Sequence, residues 1–202
     1  MKLIWVRHGE TLWNREYRLQ GLSDVALSER GQWQAERLAA AFTEQPNYIF
    51  ASPLQRAQAF AAPLAARFAL PVQVDDDLRE MSFGQWEGLR YADMEPAMQK
   101  QFEAWCNDPV TNIPPGGEGA AALAARVQNF LHMLTARLQE NETAVIVTHG
   151  GIIRTAVTLA MEMPAAAAAR LQIDTASVTI LYYYNHCWYL AKLNDTGHLQ
   201  ER

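Results

Sequence analysis

The sequence predicts an α/β fold, a three-layer sandwich whose mostly parallel central sheet carries helices on both faces and an antiparallel edge strand. Three observations predict it. Two short apolar runs, residues 2–7 and 143–148, lack the polar–apolar alternation of half-exposed strands, so both of their faces should be covered. Residues 48–51 and 72–74 are two more short candidate strands. Helix-length segments separate the runs, and a pair of closely spaced strands ends the chain.

Serine and proline residues mark the ends of the predicted helices. Ser28 and Ser52 occupy expected N-cap positions, and Pro53 suits a first helical residue. Pro46 and Pro71 follow two of the helices, which should end before them. The predicted helices cover about residues 29–43, 54–68 and 119–139. This alternation of strands and helices favours parallel pairing of the strands.

Residues 81–117 interrupt the alternation. The segment is rich in aromatic residues and methionine, and it contains the breakers Asp108-Pro109 and Pro114-Pro115-Gly116-Gly117. We interpret it as a loop and one helix that form a lid over the sheet. No linker or internal repeat sets it apart, so residues 1–202 are expected to form a single domain.

The chain ends in a predicted antiparallel hairpin at one edge of the sheet. Its strands are residues 177–184 and 188–193, and residues 185–187 form the turn. An edge strand presents unpaired backbone groups, so a homodimer could form there.

Composition and charge exclude several classes of protein. The 202 residues are 50% apolar and 19% charged, with a formal net charge of −5. A chain of this charge is not expected to bind nucleic acid or a membrane surface. No apolar run approaches the roughly 20 residues that a membrane helix needs. Without an export signal, Cys106 and Cys187 indicate a cytoplasmic protein with reduced thiols.

The most informative motif directly follows the first strand. Arg7-His8-Gly9-Glu10-Thr11 places an imidazole beside a guanidinium where a buried strand opens into a loop. Thr148-His149-Gly150-Gly151 repeats this arrangement after the apolar run 143–148. Because parallel strands end at the same edge of a sheet, the two histidines are expected to share one site.

Reactive side chains occur in five segments of the chain. They are residues 7–14, 52–56, 78–81, 115–119 and 148–151. This ordered set resembles the histidine phosphatase superfamily, also called the phosphoglycerate-mutase-like family, from residue 2 to about residue 193. The resemblance implies the fold of that family and an enzyme that acts on small-molecule phosphate monoesters with neither a metal nor a cofactor.

The resemblance and the chemistry of a phosphate dianion assign roles to individual residues. Arg7 and Arg56 neutralise and orient the phosphate through forked hydrogen bonds. His8, in its neutral form, is the nucleophile that becomes a phosphohistidine. His149, as a cation, stabilises the transition state, and Glu80 is the general acid. Five further residues are expected to bind the substrate: Gly9, Asn14, Gln20, Gly21 and Gly150.

Three other acids near motif positions compete with Glu80 for the role of proton donor: Glu10, Glu87 and Glu118. Glu87 could instead be a structural cap or a hydrogen-bond partner. Gly119 stands where many relatives have serine, which leaves the role of Glu118 open.

Residues 80–88 resemble the phosphatase branch of the family. The mutases carry a longer and more basic insert between the acid and the second histidine, whereas residues 81–148 here are comparatively short. Residues 104–109 and 116–119 are similar to α-ribazole phosphatases, which implies removal of the phosphate from α-ribazole 5′-phosphate in cobalamin nucleotide-loop assembly. Aromatic side chains of the lid could stack on the base or could simply pack the lid. They are Trp86, Tyr91, Phe102 and Trp105.

Other functions are open as well. A broad-specificity or sugar-phosphate phosphatase of the same branch is the first alternative, and a phosphoglycerate mutase or a phosphoprotein-binding signalling phosphatase comes after it. A catalytically idle binding or scaffold protein would have lost His8, Glu80 or an arginine, and none of them is lost.

Overall fold

A six-stranded sheet forms the centre of the computed structural model, which describes residues 1–200. Its strands are β1 (Lys2–Arg7), β2 (Tyr48–Ala51), β3 (Val72–Val74), β4 (Thr143–Thr148), β5 (Val178–Tyr184) and β6 (Cys187–Asp195). Their order across the sheet is β3-β2-β4-β1-β5-β6. The first four strands pair in parallel, whereas β5 and β6 are antiparallel and β6 is an edge. The α/β fold and the hairpin predicted from the sequence are therefore confirmed.

Within residues 1–200, six α-helices accompany the sheet. They are α1 (Leu12–Arg15), α2 (Glu29–Ala41), α3 (Gln55–Phe68), α4 (Pro96–Asn107), α5 (Ala120–Arg137) and α6 (Gly150–Ala160). Short 3-10 helices occur at Asp76–Leu78, Gly84–Trp86, Tyr91–Asp93, Ala165–Arg170 and Gly197–Leu199. The predicted helices are present, and α2 and α5 each end two residues earlier than expected. Among residues 1–200, no helix is both long and apolar enough to cross a bilayer.

Side chains of β1 alternate between two hydrophobic cores, one on each face of the sheet. Leu3 and Trp5 lie in the core formed with α5 and α6, where the rings of Trp5 and Phe130 meet edge to face at 6.0 Å between centroids. Ile4 and Val6 lie in the core formed with α2 and α3. Each large side chain buried in this way contributes roughly 1.5–3 kcal/mol to stability. Burial on both faces explains why this strand has no polar alternation.

One of the two predicted serine caps is present. Ser28 caps α2, and its Oγ accepts a hydrogen bond from the backbone N–H of Gly31 at 3.1 Å. The prediction that Ser52 caps the next helix and that Pro53 begins it is wrong, because α3 begins later with Leu54 as its N-cap residue. Ser52 is fully buried, and its hydroxyl contacts a histidine of the site described below.

The segment 81–117 consists of loops, two 3-10 helices and the single α-helix α4, in agreement with the predicted secondary structure. Trp86 is fully buried at its centre. The segment contacts the loop after β1, because Arg18 donates a hydrogen bond to the carbonyl of Gly88 at 2.7 Å and the backbone N–H of Gly88 donates to Leu19 at 2.8 Å. These bonds fix the segment next to the carboxyl end of β1.

Candidate active site

The carboxyl ends of β1 and β4 bring the two motif histidines together. The strands pair in parallel with Arg7 opposite Thr148, so the next residues, His8 and His149, are neighbours. The backbone N–H of His8 donates to the carbonyl of Thr148 at 2.9 Å. The centroids of the two imidazole rings are 5.1 Å apart. The expectation that both ends of the chain build one site therefore agrees with the structure.

Hydrogen bonds define the tautomer of His8. Its Nδ1 lies 2.7 Å from the carbonyl oxygen of Gly9, which can only accept, so Nδ1 carries the proton. The lone pair is then on Nε2, which accepts a hydrogen bond from Nε of Arg56 at 3.3 Å. The imidazole is only 3% exposed. This is the tautomer that a nucleophilic Nε2 requires.

The surroundings of His8 also keep it neutral. Burial lowers the pKa of His8 well below its ordinary value, and the positive charges of Arg56 and Arg7 lower it further. The hydrogen bond to Gly9 opposes these effects, but it is the weaker influence. His8 is therefore uncharged at neutral pH.

Arg56 is held rigidly although it is a long side chain. It is 1% exposed, and its Nη1 and Nη2 donate to the carbonyls of Ser23 and Gly21 at 2.7 and 2.8 Å. Gly21 has φ +54°, in the left-handed region that favours glycine. The turn at residues 21–23 thus directs two backbone carbonyls at one guanidinium.

Three buried polar atoms of the predicted site residues have no hydrogen-bond partner within the described part of the chain: Arg7 Nε, His149 Nδ1 and Gln20 Oε1. Arg7 is anchored through its other end, because Nη1 donates to the carbonyl of Ile173 at 2.6 Å. Buried polar groups are rarely left unpaired, since each costs roughly 1–3 kcal/mol. A phosphate oxygen would accept from Nε of Arg7 and from a protonated Nδ1 of His149, whereas Oε1 of Gln20 needs a donor.

His149 hydrogen-bonds to Ser52, the residue that the sequence predicted as a helix N-cap. Its Nε2 lies 2.8 Å from Oγ of Ser52, which also accepts from the backbone N–H of Leu54 at 3.3 Å. The Ser52 hydroxyl can donate to Nε2 or accept from it, and when it donates, the ring proton of His149 is on Nδ1.

His149 is expected to be a cation beside a bound phosphate, and without a ligand its surroundings favour the neutral ring. Burial lowers the pKa of His149 well below its ordinary value, and His8, Arg56 and Arg7 lower it further. Sequence reasoning considered the anionic substrate but not the cations that surround the ring. The dianionic charge of a phosphate ester would act in the opposite direction.

The carboxyl group of Glu80 lies against the N-terminus of α6. Its Oε1 accepts from the backbone N–H of Met81 at 2.9 Å, and its Oε2 accepts from the N–H of Gly151 at 3.2 Å. Burial lowers the pKa of Arg7 and of Arg56, and the negative charge of Glu80 partly offsets this effect in both. The carboxylate is therefore close to both arginines.

The three glycines that were expected to bind substrate differ in what they contact. The carbonyls of Gly9 and Gly21 hold His8 and Arg56, as described above. Gly150 begins α6, and a Cβ atom there would lie 3.6 Å from Nε of Arg7. Free N–H groups at a helix N-terminus favour an anion, so this position fits the expected contact.

Asn14 also has a structural role. Its Oδ1 accepts from the backbone N–H and the hydroxyl of Thr11 at 3.0 and 3.1 Å, in a capping box at the start of α1. The side-chain amide nitrogen takes no part in this cap. Asn14 can therefore still donate a hydrogen bond, as predicted.

The three acids that compete with Glu80 are engaged elsewhere. Glu10 accepts a hydrogen bond from the hydroxyl of Ser28 at 2.8 Å. Glu118 forms a two-pronged ion pair with Arg126, with both N–O distances at 2.8 Å. Glu87 accepts four hydrogen bonds within the loops around it. Glu80 is therefore the acid best placed for proton transfer.

A cavity of about 360 Å³ lies beside Glu80. Gly151, which lies against Glu80, and Arg154 form part of its wall, and most of its other walls are apolar. Those walls come from the lid, α5, α6 and the segment around the 3-10 helix Ala165–Arg170, and they include Phe83, Trp105, Leu123, Ala124, Leu159 and Ala168.

The lid aromatics divide between the two uses that the sequence left open. Trp86 is buried against Phe102 and Trp105, with ring centroids 5.4 and 5.9 Å apart, and so packs the lid. Trp105 also lines the cavity together with Phe83, and the centroids of these two rings are 5.6 Å apart. Tyr91 is 43% exposed and bonds to Glu103, away from the cavity walls.

Arg154 is the main residue of the site that sequence reasoning missed. Its Nε donates to the carbonyl of Leu171 at 2.8 Å, and its Nη1 would lie 3.8 Å from a Cβ atom at Gly150. It stands four residues after Gly150 on α6, so both lie on the same face of the helix. That helical spacing is the signal that could have found it.

The site thus defines a protein that handles phosphate esters, with a neutral buried histidine facing fixed arginines at the carboxyl ends of parallel strands. Comparison with known proteins agrees. Residues 3–196 match the histidine phosphatase superfamily (branch 1), and the chain belongs to this family.

Individual relatives are phosphatases of several kinds. Phosphoserine phosphatase 1 of Hydrogenobacter thermophilus is 33% identical, with all of this chain and 95% of the relative aligned. The adenosylcobalamin/alpha-ribazole phosphatase of Escherichia coli is 31% identical over 96% of this chain and 91% of its own length. The structure of the mycobacterial glucosyl-3-phosphoglycerate phosphatase superposes with a TM-score of 0.89 at 34% identity, covering 96% of this chain and 99% of that one. These relatives support a phosphoric monoester hydrolase.

Proposed function

We propose that the protein is a metal-independent phosphomonoesterase that forms a phosphohistidine on Nε2 of His8. One observation carries this proposal: His8 is held neutral, with its lone pair on Nε2, beside the guanidinium of Arg56. Arg7 and Arg56 supply positive charge for the phosphate, so the mechanism does not call for a metal ion.

In the first step, Nε2 of His8 attacks phosphorus and the bond from phosphorus to the ester oxygen breaks. Protonated Glu80 gives its proton to the departing oxygen, so an alcohol leaves and Glu80 becomes a carboxylate. Arg7, Arg56 and the Nδ1–H of His149 stabilise the charge on the phosphoryl oxygens.

In the second step, a water molecule attacks the phosphohistidine and gives a proton to the Glu80 carboxylate. The bond from phosphorus to Nε2 breaks, inorganic phosphate leaves, and His8 and Glu80 return to their starting states. No external proton or electron is needed.

We infer that the substrate is α-ribazole 5′-phosphate. The cavity beside Glu80 is mostly apolar and includes the rings of Phe83 and Trp105, which suits a flat dimethylbenzimidazole base. Nε1 of Trp105 is buried without a partner within residues 1–200 and could donate to the free ring nitrogen of that base. The similar adenosylcobalamin/alpha-ribazole phosphatase of Escherichia coli supports this choice.

A second candidate is a small phosphorylated acid or sugar. Arg154 favours it, because this cation stands where the phosphate site meets the cavity and could bind a carboxylate or a hydroxyl group. The phosphoserine and glucosyl-3-phosphoglycerate phosphatases among the relatives point the same way.

Phosphate release from a substrate panel separates these candidates. The panel contains α-ribazole 5′-phosphate, phosphoserine, sugar phosphates, nucleotides and phosphoglycerates, with a chelator present and His8→Ala as the control. A strong preference for α-ribazole 5′-phosphate that is lost in His8→Ala supports both parts of the proposal. Equal slow turnover of all substrates would reject the substrate, and activity that survives in His8→Ala would reject the phosphohistidine.

A further inference from the structure

The carboxylate of Glu87 ties the lid to the loop at residues 21–23. Its Oε1 accepts from the backbone N–H of Leu22 at 3.0 Å and from that of Phe83 at 3.1 Å. Its Oε2 accepts from the backbone N–H and the hydroxyl of Ser23 at 2.9 and 2.7 Å. Four donors from two separate segments therefore depend on one side chain.

The same loop holds the arginine next to the nucleophile. The carbonyls of Gly21 and Ser23 accept from the two terminal nitrogens of Arg56, whose Nε donates to Nε2 of His8. A continuous series of hydrogen bonds thus runs from Glu87 through the loop and Arg56 to His8.

The backbone at Gly21 is in close contact with the Glu87 carboxylate. A Cβ atom at this position would lie 2.2 Å from Oε1 of Glu87, and the residue has φ +54°. The loop backbone therefore rests directly on the carboxylate, and its carbonyls keep their direction only while the carboxylate stays in place.

We propose that Glu87 is a positioning residue: it fixes the two carbonyls that orient Arg56 for phosphate binding and for the reaction of His8. This inference rests on the proposed function and adds a residue to it. Glutamine at this position keeps the size but directs an N–H₂ group at backbone N–H donors, so the loop and Arg56 should shift. A displacement of about 1 Å at a reacting group can cost on the order of 100-fold in rate.

Glu87→Gln tests the proposal with p-nitrophenyl phosphate as substrate and inorganic phosphate as competing ligand. We expect kcat/KM to fall about 10- to 100-fold and phosphate inhibition to weaken. Glu95→Gln is the matched control, because Glu95 is an exposed lid residue without a side-chain cap bond and should behave like wild type. The proposed function is tested separately: wild type should hydrolyse p-nitrophenyl phosphate, and His8→Ala should not.

A double-mutant cycle shows whether Glu87 acts through Arg56. Lysine in Arg56→Lys cannot bond to both carbonyls and to His8 at the same time. If Glu87 acts through Arg56, adding Glu87→Gln to Arg56→Lys should therefore lower kcat/KM by less than about threefold. Ser23→Ala removes one of the four bonds and should lower kcat/KM by a smaller factor. It keeps the proposal testable if Glu87→Gln does not fold. An equal loss in both backgrounds, or no loss in Glu87→Gln, would overturn the proposal.

The pH profile gives an independent readout that a merely structural role would not change. The charge of Arg56 helps to lower the pKa of His8. If Arg56 moves away in Glu87→Gln, the acidic limb of kcat/KM should move to higher pH. A limb that stays at its wild-type position would contradict the proposal.

Discussion

His8 can attack phosphorus only while Nε2 carries a lone pair, and two separate features of the protein provide for this. The Gly9 carbonyl fixes the proton on Nδ1, and burial next to two arginines disfavours a second proton. A histidine on an open surface would be about half protonated near pH 6.5. The environment of the residue, and not only its type, therefore makes it a candidate nucleophile.

The lowered pKa values of His8 and His149 predict a loss of stability in mild acid. Both rings are neutral when folded but can take up a proton near pH 6.5 when unfolded, so the unfolded state binds more protons below that pH. Stability should be complete above pH 6.5 and should fall as pH decreases, by at most about 1.4 kcal/mol per pH unit for each histidine.

Urea unfolding between pH 7.5 and pH 5.5 would measure this slope. In His8→Asn the decrease should be smaller than in wild type, whereas His186→Asn, in the exposed turn before β6, should keep the wild-type slope. A full wild-type slope in His8→Asn would show that His8 is not held neutral by the fold.

Glu80→Gln should affect substrates according to their leaving groups. An alkyl phosphate needs a proton on its departing oxygen, so kcat/KM should fall about 100- to 10,000-fold. p-Nitrophenolate leaves without a proton, so kcat/KM for p-nitrophenyl phosphate should fall far less. Glu103→Gln, in the exposed part of the lid, is the control. Equal losses for both substrates would remove Glu80 from the role of general acid.

The sequence predicted which residues at strand ends form the site, but not the hydrogen bonds and charges around them. Arg7, His8 and His149 directly follow or end apolar runs, so their meeting could be predicted from parallel pairing alone. The contact of Ser52 with His149 depends on how the loop after β2 turns, and no periodicity reports that. The neutral state of His149 depends on charges from several distant segments.

At the scale of elements, the ends of strands and the starts of helices build the site. β1 and β4 place the two histidines at their carboxyl ends, and at the start of α6 the backbone N–H of Gly151 donates to Glu80. The start of α2 supports the loop after β1, because Ser28 bonds both to its own helix and to Glu10. The apolar runs and prolines made the strands and the predicted helices recognisable to within two residues, although the Ser52 cap of α3 was wrong.

Ser28→Ala should destabilise the protein through α2. It removes the cap bond to Gly31 and the bonds to Glu10, and loss of an N-cap costs about 1 kcal/mol, within a range of roughly 0.5–2. Thr43→Ala, at an exposed position just after α2, is the control. Chemical denaturation measures both, and equal stability of Ser28→Ala and wild type would contradict the cap.

At the scale of the whole molecule, two cores hold the sheet rigid while the lid and the α5–α6 face enclose a cavity next to the acid. The sequence showed that aromatic residues would lie in the lid. It could not show which of them pack the lid and which line the cavity, because that depends on how α4 rests against α5 and α6. The homodimer suggested by the β6 edge stays a prediction.

Filling the cavity should change substrate choice without removing activity. Ala124→Phe, on the cavity wall, should raise KM for α-ribazole 5′-phosphate at least about tenfold through steric exclusion, a cost near 1.4 kcal/mol. The kcat for phosphoserine, with its small leaving group, should stay near its wild-type value. Ala121→Phe lies on the exposed side of α5 and is the control. Equal changes for both substrates would place the leaving group outside the cavity.

The central claim is that His8 carries the phosphoryl group during turnover. The most direct test mixes the enzyme rapidly with p-nitrophenyl phosphate, stops the reaction in alkali, which preserves phosphohistidine, and maps the modified peptide by mass spectrometry. We expect one phosphoryl group on the peptide that contains His8, and none in His8→Ala. Turnover without any phosphorylated His8, or a phosphoryl group on His149 instead, would contradict it.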